Sequence, residues 1–139
     1  ERRRAGVGAV ESRAGQMEVQ TSAGADTLEG GRQAARALLA TGYRPTAIVC
    51  VNDFMAIGAL RELREQGIRV PRDISVTGFD NINLSEFCFP ALTTIHIPRE
   101  RIGQTICDCL IAREGDSPGN REITIDPELV VRDSTGPRR

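Results

Sequence analysis

Polar side chains that could bind a ligand follow two apolar runs of the sequence directly. Asn52 and Asp53 end the first run, and Asp80 and Asn81 end the second. An ionised Asp offers several acceptor sites, whereas Asn offers one acceptor oxygen and two N–H donors. This mixture suits a ligand rich in hydroxyl groups, such as a sugar or polyol, better than a phosphate. The alternative is structural: the first pair would only cap a helix, and the second would only shape a turn.

The segment that holds these pairs predicts a β-α-β unit. A continuously apolar strand from Ala47 to Val51, expected to be buried on both faces, precedes a helix from about Phe54 to Gln66, and a second strand follows from Ile74 to Phe79. A short helix between two apolar strands gives a right-handed parallel crossover. Both polar pairs would therefore lie at the carboxyl ends of parallel strands, where open α/β sheets bind ligands.

The rest of the chain completes an α/β pattern with a parallel, doubly wound sheet. Gly30 and Gly31 at the start of one helix indicate either close approach to another backbone or a frayed start. Segment 81–92 is predicted to be a loop, although it is unusually apolar. The remaining predicted elements are helices at 2–14, 27–40 and from Pro98 onward, and strands at 17–21, 93–97, 122–126 and 129–132.

Composition and motifs exclude several function classes. The net charge of −1 argues against a nucleic-acid surface in this segment. The lone histidine, His96, fits a hydrogen-bonded structural residue better than a general base, and no GxSxG, P-loop or GxGxxG motif is present. Four cysteines without a CxxC pair give no zinc spacing, so we expect neither a metal nor an organic cofactor. With no membrane-spanning run or signal peptide, a reducing cytoplasm fits best.

Three stretches carry a family resemblance. The sequences PTAIVCVNDFMAIGALRELREQGIRVPRDISVTGFDN, PALTTIHIPRERIG and ELVVRDST resemble the carboxyl-terminal part of the lac repressor/galactose repressor (LacI/GalR) family of bacterial transcription regulators. The resemblance runs from about Arg3 to Thr135. It implies a periplasmic-binding-protein-like fold, in which two α/β subdomains close on a small effector while a separate helix-turn-helix domain reads operator DNA.

The resemblance also implies a domain organisation. Residues 1–97, with 127–133 as a returning strand, would form the second effector subdomain. Residues 98–126 would cross to a first subdomain that is missing here, and 134–139 would be a tail. The chain is then about half of the two-subdomain effector core, so we expect weak or no effector binding by the isolated chain. Operator DNA would be bound only through the absent helix-turn-helix domain.

Site roles follow from the same resemblance. Asn52 and Asp80 match positions that hydrogen-bond effector hydroxyls, and Arg3 matches an arginine that clamps the effector. Asp26 stands where the family often has an aromatic residue packed on the effector, which disfavours a flat apolar ligand face. Asp53 is then best interpreted as a helix cap.

We also expect a homodimer or higher homo-oligomer. The apolar loop residues Leu84, Phe87 and Cys88 would lie either in the core of the chain itself or at a subunit interface, because exposed apolar clusters generally mark contact sites. With Met55 on the outer side of its helix, they are the candidate interface residues. The helix that lacks its parent sheet should expose apolar surface from Ile102, Ile106 and Leu110.

Two rival functions stay open. A solute-binding protein of a sugar transporter would have the same fold. A sugar-processing enzyme could pair the carboxylates of Asp53 and Asp80, although no sequence feature positions an acid against a base. We expect a non-enzymatic sensor.

Overall fold

The computed structural model describes residues 18–111 and 123–137, which form four helices and four strands. The predicted helix at 2–14 lies outside these residues, and residues 18–21 of the predicted strand 17–21 are not in a strand. The elements are α1 (Leu28–Ala40), β1 (Ala47–Val49), α2 (Asp53–Glu65), β2 (Ser75–Thr77), α3 (Leu84–Phe87), β3 (Thr94–His96), α4 (Arg99–Ile111) and β4 (Glu128–Val130).

The strands follow the predicted β-α-β order and add an antiparallel edge. β1 pairs in parallel with β2, and β3 pairs antiparallel with β4. Single parallel bridges, Thr77 to Thr93 and Asp80 to His96, place β3 beside β2. The α/β fold and the parallel crossover are confirmed. The strand predicted at 122–126 is not formed over 123–126, and the loop 81–92 contains the short helix α3.

Helices α1 and α2 pack closely because glycines line their contact. A Cβ on Gly31 would collide with the backbone of Met55, and a Cβ on Gly58 would collide with the carbonyl oxygen of Leu28. Close backbone approach, predicted from Gly30 and Gly31, is therefore confirmed.

The cap of α2 differs from the sequence prediction. The Asn52 side-chain oxygen accepts a hydrogen bond from the Met55 N–H at 2.9 Å, so Asn52 is the N-cap. The prediction that Asp53 is the cap is wrong, because Asp53 is the first helical residue and its carboxylate points into the protein interior.

The core lies between α2 and one face of the sheet. Its buried residues are Leu39, Ala56, Leu60, Leu63, Ile74, Val76 and Leu92. Ile48 and Cys50 pack against this core, whereas Val49 is 72% exposed. The prediction that the first strand is buried on both faces is therefore wrong, because within the described residues only one face of β1 is covered.

A buried carboxylate joins the two packed helices. Glu62 on α2 is 2% exposed and accepts two hydrogen bonds from Arg36, both at 2.8 Å, and one from Arg32 at 3.1 Å. Gln66 donates a further bond at 2.8 Å. The bonds from Arg36 and Gln66, with that from Arg32, lower the pKa of Glu62 to about 2.

Helix α4 stands apart from the core, since none of its residues is buried. Ile106 is 54% exposed and Leu110 is 79% exposed, as expected, whereas Ile102 is half-buried. None of the described helices is both long enough and apolar enough to cross a membrane.

Candidate ligand-binding site

The predicted ligand-binding residues form two groups. The first group, Asp26 and Asn52, joins the starts of α1 and α2. Asp26 immediately precedes Thr27, the N-cap of α1, and its carboxylate accepts a hydrogen bond from the side-chain amide of Asn52. Because the Asn52 oxygen also caps α2, each Asn52 side-chain group already has one partner. Within residues 18–111 and 123–137, this leaves one N–H and one oxygen lone pair of Asn52 for a ligand.

The second group lies in the turn after β2. Asp80 and Asn81 both have positive φ, 112° and 52°, in a backbone region that non-glycine residues rarely adopt. The Asp80 N–H donates to the Ile95 carbonyl at 2.9 Å, and Arg99 at the start of α4 donates to the Asp80 carbonyl at 3.1 Å. The Arg99 guanidinium also lies 3.9 Å from the Asp80 carboxylate. Strained residues of this kind cluster at functional sites.

The Asn81 side chain points into a network behind this turn. Its oxygen accepts from Arg132 at 2.9 Å and from Ser85 at 3.3 Å, and its nitrogen lies 3.2 Å from His96 Nδ1. Since Arg132 can only donate, the amide orientation is fixed by the network, and His96 Nδ1 must be the acceptor. His96 thus stabilises the turn through this hydrogen bond, in keeping with its predicted structural role.

Asp53 is the residue whose role the sequence did not reveal. Its carboxylate is 0% exposed and accepts from the Ile82 N–H at 2.8 Å and the Thr94 hydroxyl at 2.5 Å. Its own N–H donates to the Phe79 carbonyl at 2.9 Å. The prediction that Asp53 could form a carboxylate pair with Asp80 on the ligand side is therefore wrong, because the Asp53 carboxylate is enclosed by its donors.

The predicted ligand residues are partly brought together. Asn52 and Asp26 are in direct contact, and the Asp53–Phe79 hydrogen bond places the start of α2 beside the residue that precedes Asp80. Arg3 lies outside the described residues.

The predicted interface residues divide into two groups. Leu84 and Phe87 are 44% and 79% exposed, and Cys88 is half-buried with its thiol directed at backbone carbonyls. Met55 is buried between α1 and α2, against Gly31. Its assignment to an outer helix surface is wrong, because α1 covers that side of α2.

Comparisons with known proteins agree with this architecture. The sequence matches the family described as "Periplasmic binding protein-like domain" over residues 1–135. The HTH-type transcriptional repressor PurR of Vibrio cholerae serotype O1 (strain M66-2) is 44% identical over 102 residues, covering 73% of this chain and 30% of that protein.

Two solved structures are similar over almost the whole chain. The lac repressor dimer bound to operator and the anti-inducer ONPF matches with a TM-score of 0.89 and 33% identity, covering 96% of this chain and 46% of that one. A LacI family regulator from Arthrobacter sp. FB24, in complex with lactose, matches with a TM-score of 0.81 and 30% identity, covering 94% and 49%.

A two-layer α/β unit with a polar edge at its strand ends defines the class: the chain belongs to the periplasmic-binding-protein-like domain family. Within that family, its sequence and fold are those of the effector-binding region of a LacI/GalR-type regulator. The chain spans about a third of the length of the curated relative and about half of each structure that it matches.

Proposed function

We propose that this chain is the effector-sensing and dimerisation region of a bacterial DNA-binding transcription regulator, and that its effector is a small hydroxyl-rich molecule such as a sugar. One observation carries the proposal: Asn52 and Asp80 follow the parallel strands β1 and β2 at their carboxyl ends, and Asp26 contacts Asn52, in a chain of this family. The carboxyl-terminal edge is the ligand-binding edge of open α/β sheets.

The groups at this edge match the chemistry of hydroxyls. The Asp80 carboxylate would accept hydrogen bonds from effector hydroxyls, while Asn52 would use its remaining donor and acceptor. Arg3 would complete the clamp from the start of the chain. The lactose bound by the related Arthrobacter regulator supports an effector of this class.

The described residues support the proposed division into subdomains. Residues 1–97, with 127–133, form the second subdomain in this proposal; β4 pairs with β3, and Arg132 bonds to Asn81. Residues 98–126 would cross to the other subdomain. An open apolar groove of about 360 Å³ between α4 and residues 123–125 would then be covered by that subdomain. With one wall of the cleft here, the isolated chain would bind its effector weakly.

The mechanism proposed is a population shift. An effector that binds the closed cleft more tightly than the open one changes the geometry of the subdomains, and thereby the spacing of two DNA-binding domains in a dimer. The operator would be contacted only by a separate helix-turn-helix domain, in the cytoplasm. Leu84 and Phe87 would lie at the dimer contact.

A protein that carries both subdomains tests this function. We expect lactose or another sugar of a mono- and disaccharide panel to raise its thermal midpoint, because a ligand bound only by the folded state stabilises that state. Asp80→Asn should reduce the shift strongly. Asp73→Asn is the matched control, since Asp73 pairs with Arg69, away from the ligand edge.

Three results would overturn the proposal. Sugar binding that Asp80→Asn leaves unchanged would place the site elsewhere. Turnover of the bound sugar would support the enzyme alternative. Sugar binding without any effect on operator affinity would favour a transport protein.

A further inference from the structure

We propose that Asp53 is a positioning residue: its buried carboxylate latches the turn that carries Asp80 and so sets where the effector-binding carboxylate points. This inference rests on the proposed function for the role of Asp80, but the latch itself is a property of the chain. Asp53 contacts no ligand in this scheme. It acts through the backbone of the turn.

The latch consists of bonds on both sides of Asp80. The Asp53 N–H holds the Phe79 carbonyl at 2.9 Å, one residue before Asp80, and the Asp53 carboxylate holds the Ile82 N–H at 2.8 Å, two residues after it. The Asp80 N–H is itself paired with Ile95. A backbone pinned on both sides in this way can maintain positive φ at two consecutive non-glycine residues.

Thr94 ties the latch to β3. Its hydroxyl donates to the Asp53 carboxylate at 2.5 Å, and its oxygen lies 3.4 Å from the Asn81 N–H as an acceptor. A fully buried carboxylate needs such donors, because an unpaired buried charge is strongly unfavourable. Its position in the first turn of α2 adds a favourable interaction with the helix dipole. Asp53 thereby connects α2, β3 and the turn.

The strand makes room for this carboxylate. A Cβ on Gly78 would collide with Asp53 Oδ1 and would lie 2.9 Å from a methyl carbon of Leu92. Glycine at position 78 thus lets the carboxylate approach the end of β2. If the side chain of Asp53 were exposed to solvent, it would not need the space that Gly78 leaves.

We expect Asp53→Asn to loosen the turn that carries Asp80 more than the rest of the fold. The Ile82 N–H and the Thr94 hydroxyl bond to different carboxylate oxygens, Oδ2 and Oδ1. Asparagine replaces one of these oxygens with a donor-only nitrogen, so one of the two bonds is lost. Thr94→Val removes the hydroxyl while leaving the Ile82 bond, and is the milder variant if Asp53→Asn does not fold. Glu62→Gln is the matched control, since Glu62 is an equally buried carboxylate of α2 that contacts α1 instead of the turn.

The primary test is amide hydrogen exchange of the ¹⁵N-labelled chain. In Asp53→Asn, we expect the exchange of Ile82 and Asp80 to accelerate at least about tenfold more than that of Val76, whose N–H bonds to Ser134. Glu62→Gln should shift all three amides by the same factor or leave them unchanged. Thr94→Val should give a smaller selective effect. Equal acceleration of the three amides in both Asp53→Asn and Thr94→Val would overturn the latch, because it would show only a loss of global stability.

Measuring lactose binding by the protein with both subdomains tests the latch and the proposed function separately. Selective release of the turn together with weakened lactose binding supports both. Selective release when neither lactose nor any panel sugar binds the unmodified protein supports the latch and contradicts the sugar-effector function. Selective release without any change in lactose affinity contradicts the positioning role.

Discussion

Gly58 on α2 lies directly against the carbonyl oxygen of Leu28 in the first turn of α1, so the two helices meet through backbone. Gly58→Ala should lower the free energy of unfolding by about 1–3 kcal/mol, because the added methyl group must push the helices apart. Urea denaturation followed by circular dichroism measures this change.

The control for Gly58 is Gly103 on α4, where an added Cβ meets no atom within 4 Å. Gly103→Ala should leave the unfolding midpoint unchanged or raise it, since alanine favours a helix by about 1 kcal/mol over glycine. A Gly58→Ala variant as stable as the parent chain would contradict the close packing.

Glu62 should make stability depend on acid pH. Its pKa is lowered from an ordinary 4.5 to about 2, so the unfolded chain binds the proton more tightly. The associated stability is present above pH 4.5 and is lost as the pH falls towards 2. Urea midpoints measured between pH 5 and 2.5 should therefore fall less steeply in Glu62→Gln. Parallel curves for the two proteins would refute this assignment.

The four thiols should react in a fixed order with a disulfide reagent at pH 8. Cys107 and Cys109 are exposed and should react first. Cys50 should react only on unfolding, because burial and the nearby Asp53 carboxylate raise its pKa to about 12. The rapid phase should disappear in a Cys107→Ser, Cys109→Ser variant. A rapid phase that persists in that variant would show that Cys50 or Cys88 is accessible.

Exposed apolar residues on α4 should cause self-association of the isolated chain. Ile106→Ser combined with Leu110→Ser should lower the average mass measured by sedimentation velocity at high concentration. Arg101→Ala, at an exposed polar position of the same helix, should not. A parent chain that is monomeric at every concentration would exclude association through this face.

The loop around α3 exposes aromatic residues that we predict to lie at a second, independent contact surface. Phe87 and Phe89 are 79% and 85% exposed, which favours a contact between copies of the chain. In the protein with both subdomains, Phe87→Ser should raise the dimer dissociation constant about tenfold or more, since aromatic anchors often contribute over 1 kcal/mol. The exposed Glu86→Gln serves as the control, and an unchanged dissociation constant in Phe87→Ser would place the dimer contact elsewhere.

Much of the architecture was predictable from local pattern. Apolar periodicity located α1 and α2 to within one or two residues, and the resemblance to LacI/GalR regulators led to the correct fold. Burial was less predictable: Val49 belongs to an apolar run, yet it is exposed, because burial depends on which elements cover each face of the sheet.

Sequence alone determined that polar residues follow both apolar runs of the β-α-β unit, because each run is visible in the pattern, although β1 and β2 each end two residues earlier than predicted. Only the tertiary structure decided what each residue does. Asn52 and Asp53 are adjacent, but Asn52 is the N-cap with extended backbone and Asp53 is the first helical residue, so their side chains point in different directions. One side chain therefore caps the helix and bonds to Asp26 at the surface, while the other turns inward to bond Ile82 and Thr94. Those partners are about 30 to 40 residues away in sequence, and packing alone brings them to the carboxylate.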